Sequence, residues 1–261
     1  LRAEIDRDAN PRDNASWAVL DVRDKLRVAI VGTRRFGARP RLAEFGPTDW
    51  LRLALEPTDE QSREQQIEIE VIDAARTEAG ALAGFDAVIV AEPGRVRPDG
   101  WSAIGELRRR GGAVLIAASP RAGAQLWTEQ AMSSLGLEWS FERDPVEVAA
   151  GTGTLGAPVL DGDDLLWFVR GELAELVETV SVDRLLTLQP GSDATVLLTC
   201  ADDQPVLLAS APNPASPRAG QVIVLSVAVD LGWTDLPARP LMVPLVQELV
   251  RSSVGAGASH T

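Results

Sequence analysis

The sequence predicts an α/β fold: a layer sandwich with a mostly parallel central sheet and an antiparallel hairpin in its second half. Two observations carry this reading. Short β-branched runs alternate with amphipathic segments through residues 26–141, at the spacing of βαβ units, which build parallel sheets of the doubly wound, flavodoxin-like or Rossmann-like kind. Farther on, Thr195 to Cys200 and Pro205 to Ser210 flank the turn Ala201-Asp202-Asp203-Gln204 and read as an antiparallel pair. With 261 residues and 45% hydrophobic composition, the chain is long enough to bury a full core.

The elements follow in order. Residues 1–23 form an N-terminal extension, either the end of a preceding β-domain or an added edge strand. There the alternation Trp17, Val19, Asp21 suits a strand after the Asp/Asn-rich turn ending at Asn14. Leu26-Arg27-Val28-Ala29-Ile30-Val31-Gly32 has the pattern of a strand buried on both faces. Thr48 is placed to cap a helix whose Trp50, Leu51, Ala54 and Leu55 share one face, and Pro57 ends it. Ile67, Ile69, Val71 and Ile72 give a second strand, and Ala87 to Ala91 a third. Asp99 reads as the cap of a helix with Trp101, Ile104 and Leu107 inward. Arg108 to Arg110 suit its C-terminal end, and Gly111-Gly112 stops it.

Ala113 to Ala118 is a fourth strand, and a helix around residues 123–134 leads to a short strand near Leu137 to Phe141. Residues 142–164 are rich in Gly, Asp and Pro, an excursion from the core. Val180, Val182, Leu185 and Leu188 suggest a further strand, and Gln221 to Val227 another. Leu241, Leu245, Val246, Leu249 and Val250 give a helix of about three turns, with Pro240 and Pro244 near its start. The main domain is therefore residues 24–251, followed by a small, polar, frayed tail at residues 252–261.

Composition removes several classes of function. A net charge of −13 repels phosphate backbones, which argues against nucleic-acid binding. The nearest thing to a basic patch, Arg34, Arg35, Arg39 and Arg41, reads as a solvent loop. No apolar run reaches the ~18 residues of a membrane span, so this segment is read as making no direct membrane contact. Leu1 to Asn14 lacks the apolar stretch of a signal peptide, and the opening residues read like the middle of a strand. Cys200 is the single cysteine, which excludes an internal disulfide and reads as a small buried residue. His260 is the single histidine and lies next to the last residue, which removes most metal sites and general-base arrangements. No cofactor and no metal are expected.

Two strings need weighing. Gly151-Thr152-Gly153-Thr154-Leu155-Gly156 matches GxGxxG, but Ala157-Pro158 follows where a helix should open, so a flexible surface loop is the reading. Asp161, Asp163 and Asp164 could offer oxygen ligands, but no glutamate follows at EF-hand spacing, and a solvated turn is favoured. Seven tryptophans without one tyrosine read as core and interface anchors.

In doubly wound sheets, ligands sit beyond the C-terminal strand ends. Those ends here are Gly32 to Arg34, Glu92-Pro93, Ala118-Ser119 and Asp230 to Asp235. Arg34, Glu92, Ser119, Trp233 and Asp235 are thus the candidates for lining a ligand or interaction crevice. For two of them a structural role is preferred: Trp233 packing against the last helix, and Asp235 capping a turn.

Four segments are similar to a known family: Gly84-Phe85-Asp86-Ala87-Val88-Ile89-Val90, Gly111-Gly112-Ala113-Val114-Leu115-Ile116, Gly232-Trp233-Thr234-Asp235-Leu236-Pro237 and Val243-Pro244-Leu245. With Asp13-Asn14 ahead of the first strand, they resemble the C-terminal region of bacterial aerotolerance-regulator (Bat-like) membrane proteins, across roughly residues 8–251. Members of that family pair membrane helices with a von Willebrand factor A domain, and many add a domain like class I glutamine amidotransferases. The resemblance implies a flavodoxin-like, amidotransferase-like layer sandwich tethered to the cytoplasmic membrane of a bacterium. Its partners would be the other domains of the same protein, together with partner proteins. It also implies two positions to check. The turn that carries the catalytic cysteine in working amidotransferases is here Ala118-Ser119-Pro120-Arg121, with no cysteine. Beyond the strand ending near Val227 stand Ala228-Val229-Asp230-Leu231-Gly232-Trp233, with no histidine base. The expectation is a non-catalytic scaffold or protein-interaction domain. A small-ligand sensor at the strand-end crevice comes second. A hydrolase using Ser119, which would need a base within reach, comes third.

Overall fold

A computed structural model describes residues 2–4, 15–17, 25–35, 40–57, 66–120, 126–149, 151–156, 174–200, 203–212, 216 and 218–256. The elements are β1 (Arg2–Glu4), β2 (Ala15–Trp17), β3 (Leu26–Gly32), α1 (Pro47–Leu55), β4 (Ile67–Asp73), β5 (Ala87–Val90), α2 (Pro98–Arg109) and β6 (Ala113–Ala117). Then come α3 (Thr128–Leu135), β7 (Ser140–Phe141), β8 (Val146–Glu147), α4 (Ala174–Val177), β9 (Arg184–Leu185) and β10 (Leu188–Gln189). β11 (Ala194–Cys200), β12 (Gln204–Ser210), β13 (Val222–Leu225) and α5 (Met242–Ala256) complete the series.

A seven-stranded sheet organises the chain, in the order β11-β12-β13-β6-β5-β3-β4. Its strands from β13 to β4 run parallel, while β12 is antiparallel to both β11 and β13. The mixed α/β architecture with an antiparallel pair in the second half is therefore present. Asp203, just ahead of β12, sits at φ 57°, a left-handed conformation that Asp tolerates better than most residues.

Both faces of the sheet are covered, as parallel sheets require. Alternation along β3 sends Val28 and Ile30 into one apolar cluster and Ala29 and Val31 into the other. The first cluster includes Trp50 and Leu51 of α1 and Leu245 and Leu249 of α5. The second includes Trp101 and Ile104 of α2 and Ala131 and Met132 of α3.

Several local expectations are corrected. Helix α1 begins at Pro47 with Gly46 as its cap residue, so Thr48 lies inside the first turn, where its hydroxyl accepts from Thr33 N at 3.2 Å. Proline at the first helical position explains the shift: it needs no N–H partner there. The same holds at α2, which starts at Pro98 after Arg97 and leaves Asp99 in the first turn rather than capping it. The strand near Leu137 is only Ser140–Phe141, and it pairs with β10 outside the main sheet. Val180 to Leu188 form no single strand: β9 pairs with β8 and β10 with β7, and Val180, Val182, Leu185 and Leu188 all fill the core as short segments. The tail reading starts too early, since α5 continues to Ala256, beyond Ser252.

The GxGxxG string is a loop, yet it is pinned. Leu155 is buried, and bridges join Thr154 to Ser181 and Gly156 to Thr199. A Cβ at Gly153 would stand 2.0 Å from the Val182 carbonyl, so glycine there permits a close backbone approach. The acidic group Asp161, Asp163 and Asp164, and also Arg39 and His260, lie outside the described residues.

Candidate functional site

The strands β3, β5 and β6 end side by side, and their polar residues meet at that edge. Gly32 closes β3 where a Cβ would stand 2.1 Å from the Thr48 hydroxyl, so a glycine lets α1 approach the strand end. The next residue, Thr33, donates its hydroxyl to Glu92 Oε2 at 2.5 Å. Arg95 Nη1 donates to Thr33 Oγ1 at 2.6 Å and to Glu92 Oε2 at 3.4 Å. The three side chains close a ring of charge-assisted bonds, with Glu92 only 13% exposed and Arg95 36%. A 3-10 turn at Pro93–Arg95 makes the ring possible by folding Arg95 back over Glu92.

Ser119 follows β6 and is half-buried. A Cβ built on Gly94 would lie 3.7 Å from Ser119 Oγ and 3.9 Å from Trp127 Cδ1, which places the hydroxyl beside the Pro93–Arg95 turn. The carbonyl of Pro120 accepts a hydrogen bond from Trp233 Nε1 at 3.2 Å. Trp233 is 1% exposed, so it supports the turn from beneath and offers nothing to a ligand. It packs in the cluster of α2 and α3, not against the last helix as its sequence position suggests. The reason is that indole needs a partner for its N–H when buried, and the Pro120 carbonyl lies on that face.

The remaining candidates separate. Arg34 is exposed, next to Thr33. Its neighbour Arg35 ties the loop to α1, donating to the Glu44 carbonyl at 2.9 Å and pairing with Asp49 at 3.5 Å. Asp235 accepts from Ser181 N at 2.8 Å and from Arg239 Nε at 2.7 Å, and Thr234 Oγ1 donates to the Ser181 carbonyl. Asp235 is thus a fastener between two loops. The edge sets Ser119 against Gly94, within the turn that follows Glu92, and Trp233 holds the Pro120 carbonyl next to it. Sequence reading missed Thr33 and Arg95. The Glu92–Arg95 spacing of three residues was the available signal, but it needs the 3-10 turn to become a contact.

Cys200 ends β11, three strands from β6 and hence roughly 14 Å away at ordinary strand spacing. Burial pushes its thiol up to about 11, which keeps it protonated and unreactive at neutral pH. Among the described residues no group of three or more His, Cys, Asp and Glu side chains converges as a metal site.

No family model matches the chain, and no curated protein matches it. Solved structures do. Cytoplasmic protein STM1381 from Salmonella typhimurium LT2 is similar at a TM-score of 0.56 and 14% identity, covering 90% of this chain and 100% of its own. Cytoplasmic protein STM3548 from Salmonella typhimurium follows at 0.52 and 14%, covering 87% and 98%. A cold-adapted β-galactosidase from Rahnella sp. R3 is similar at 0.55 and 15% over 88% of this chain, which spans only 31% of that enzyme. At such identities the likeness shows the fold alone.

Proposed function

We propose that this chain is a non-catalytic protein-interaction domain of amidotransferase-like, flavodoxin-like architecture, carried by a larger membrane-anchored bacterial protein of the aerotolerance-regulator type. The observation that supports it best is the turn Ser119-Pro120. In nucleophile turns, the backbone N–H after the nucleophile helps hold the oxyanion. Proline has no N–H, and the Pro120 carbonyl is engaged by Trp233. Ser119 Oγ has no hydrogen-bond partner among the described residues, so none of them is placed as its base. The neighbouring carboxylate, Glu92, is engaged by Thr33 and Arg95.

The membrane tether rests on the resemblance across residues 8–251. Among the described residues no helix is long and apolar enough to cross a membrane. Two measurements test the proposal. Ammonia release from glutamine and hydrolysis of a p-nitrophenyl ester should be the same, at background, for the wild type and Ser119→Ala. Ser119-dependent turnover would overturn the non-catalytic reading. The full-length gene product should sediment with membranes and leave them only in detergent; release by salt alone would remove the tether.

A second reading, a small-ligand sensor at this crevice, is favoured by one observation. Arg95 is one-third exposed, and the preceding residue, Gly94, lies against Ser119, whose hydroxyl has no hydrogen-bond partner among the described residues. Thermal stabilisation by a small anion, lost in Arg95→Ala, would select it.

A further inference from the structure

We infer that the outer edge of β4 takes an added, antiparallel strand in which apolar residues alternate with lysine or arginine. This rests on the reading of the chain as an interaction domain, and it names the surface and the partner chemistry.

β4 is the last strand of the sheet, and among the described residues it pairs only with β3. Leu26 lies opposite Ile67, and Leu26 N donates to the Gln66 carbonyl at 2.8 Å. In a parallel ladder that register turns the backbone groups of Gln66, Glu68, Glu70 and Ile72 toward β3. Those of Ile67, Ile69, Val71 and Asp73 consequently point away from the sheet. The Asp73 carbonyl is occupied by Thr77 Oγ1 at 3.1 Å. Among the described residues nothing pairs with the outward groups of Ile67, Ile69 and Val71, which leaves a ladder of donors and acceptors, a template for another strand.

The side chains specify what fits. Ile67, Ile69 and Val71 face the cluster built with α1 and α5, the latter two only partly buried. Glu68 and Glu70 stand exposed on the other face. A docked strand would set its alternate residues beside these two rows. Apolar side chains then extend the cover over Ile69 and Val71, and cations lie across from Glu68 and Glu70, where opposite charges favour pairing.

The acids also bear on a second copy of this chain. The antiparallel register that pairs the whole of β4 with itself sets Glu70 against Glu70. The register centred on Ile69 sets Glu68 against Glu70 twice. Like charges directly opposite oppose both, on a chain of net charge −13. Edge charges commonly guard a sheet against association. Here the guard has one sign, and it selects a basic strand.

The test uses the whole chain and end-blocked octapeptides: one alternating lysine and valine, one with the same residues in two blocks, and one alternating glutamate and valine. Heteronuclear NMR should show the alternating lysine peptide shifting the Ile69 and Val71 amides and slowing their hydrogen exchange. Its affinity should exceed that of the glutamate peptide by about tenfold or more. Glu68→Lys with Glu70→Lys should reverse the preference. Ile69→Pro removes an outward N–H and should abolish binding without unfolding the chain, checked by circular dichroism. If Ile69→Pro does not fold, the charge-reversed variant carries the test alone. No perturbation at Ile69 and Val71, equal binding of the block peptide, or a preference unchanged by charge reversal would overturn the inference. So would a dimer in sedimentation that the charge-reversed variant alters. Failure at this edge with Ser119 inert removes the surface only, whereas Ser119-dependent turnover removes the interaction-domain reading itself.

Discussion

The two ends of the central sheet hold their polar groups in different ways. At the C-terminal end, Thr33, Glu92 and Arg95 bond to one another near the surface. At the opposite end, Arg108 is buried, 7% exposed, where α2 finishes and β13 begins. Its Nε donates to the Gly220 carbonyl at 3.1 Å, and Gly220 N donates back to the Arg108 carbonyl at 2.8 Å. Burial lowers the pKa of Arg108, and the nearby Asp193 carboxylate pushes it back up. Asp193 also accepts from Trp139 Nε1 at 2.7 Å. A buried charge is costly unless it is paired and hydrogen-bonded, so every bond of Arg108 acts on folding. The shallower ring at the other end is screened by water and carries little stability. Fold stability and the candidate site thus lie at opposite ends, as in sheets whose strand ends are free to vary.

The contrast can be broken by mutation, starting with its strongest element. Arg108→Met should cost about 3 kcal/mol, because it strands the Gly220 carbonyl and leaves Asp193 without its neighbouring positive charge. Urea unfolding measures this, and a loss under about 0.5 kcal/mol would dissolve the distinction between the ends. Trp233→Phe should cost about 1.5 kcal/mol, through the lost bond to Pro120 and the smaller ring. Glu92→Gln should cost about 0.5 kcal/mol at low salt and almost nothing at high salt, since Arg95 is partly exposed.

Cys200 gives a pH-dependent check on burial in the first apolar cluster. Folding raises its pKa to about 11, whereas an unfolded thiol titrates at about 8.5. The protonated thiol's contribution is therefore complete below about 8.5 and is lost as pH rises through about 11. At pH ~8 the native protein should resist iodoacetamide, and urea should expose the thiol; rapid native labelling would contradict its burial.

Much of the fold was legible because burial on both faces writes itself as apolar runs. Val28 to Val31, Ala87 to Val90 and Ala113 to Ala117 are buried throughout, and each was recognised as a strand. The hairpin of β11 and β12 was equally plain. Helix starts were misplaced at Thr48 and Asp99 because Pro47 and Pro98 compete for the first turn, and propensity alone does not rank them. The site was half legible. Glu92 and Ser119 follow from the rule of strand ends. Thr33 and Arg95 depend on a 3-10 turn that three residues of sequence do not announce. Trp233 was named for its position near a strand end, yet its role depends on a carbonyl more than a hundred residues away along the chain.

The most direct test of the central claim, that the strand-end turn is built to be inert, is intact-mass analysis after incubation with a fluorophosphonate. The account predicts no adduct on the native chain, since Ser119 has no hydrogen-bond partner among the described residues and residue 120, a proline, has no N–H to hold an oxyanion. A single stoichiometric adduct mapped to Ser119, and absent in Ser119→Ala, would contradict it.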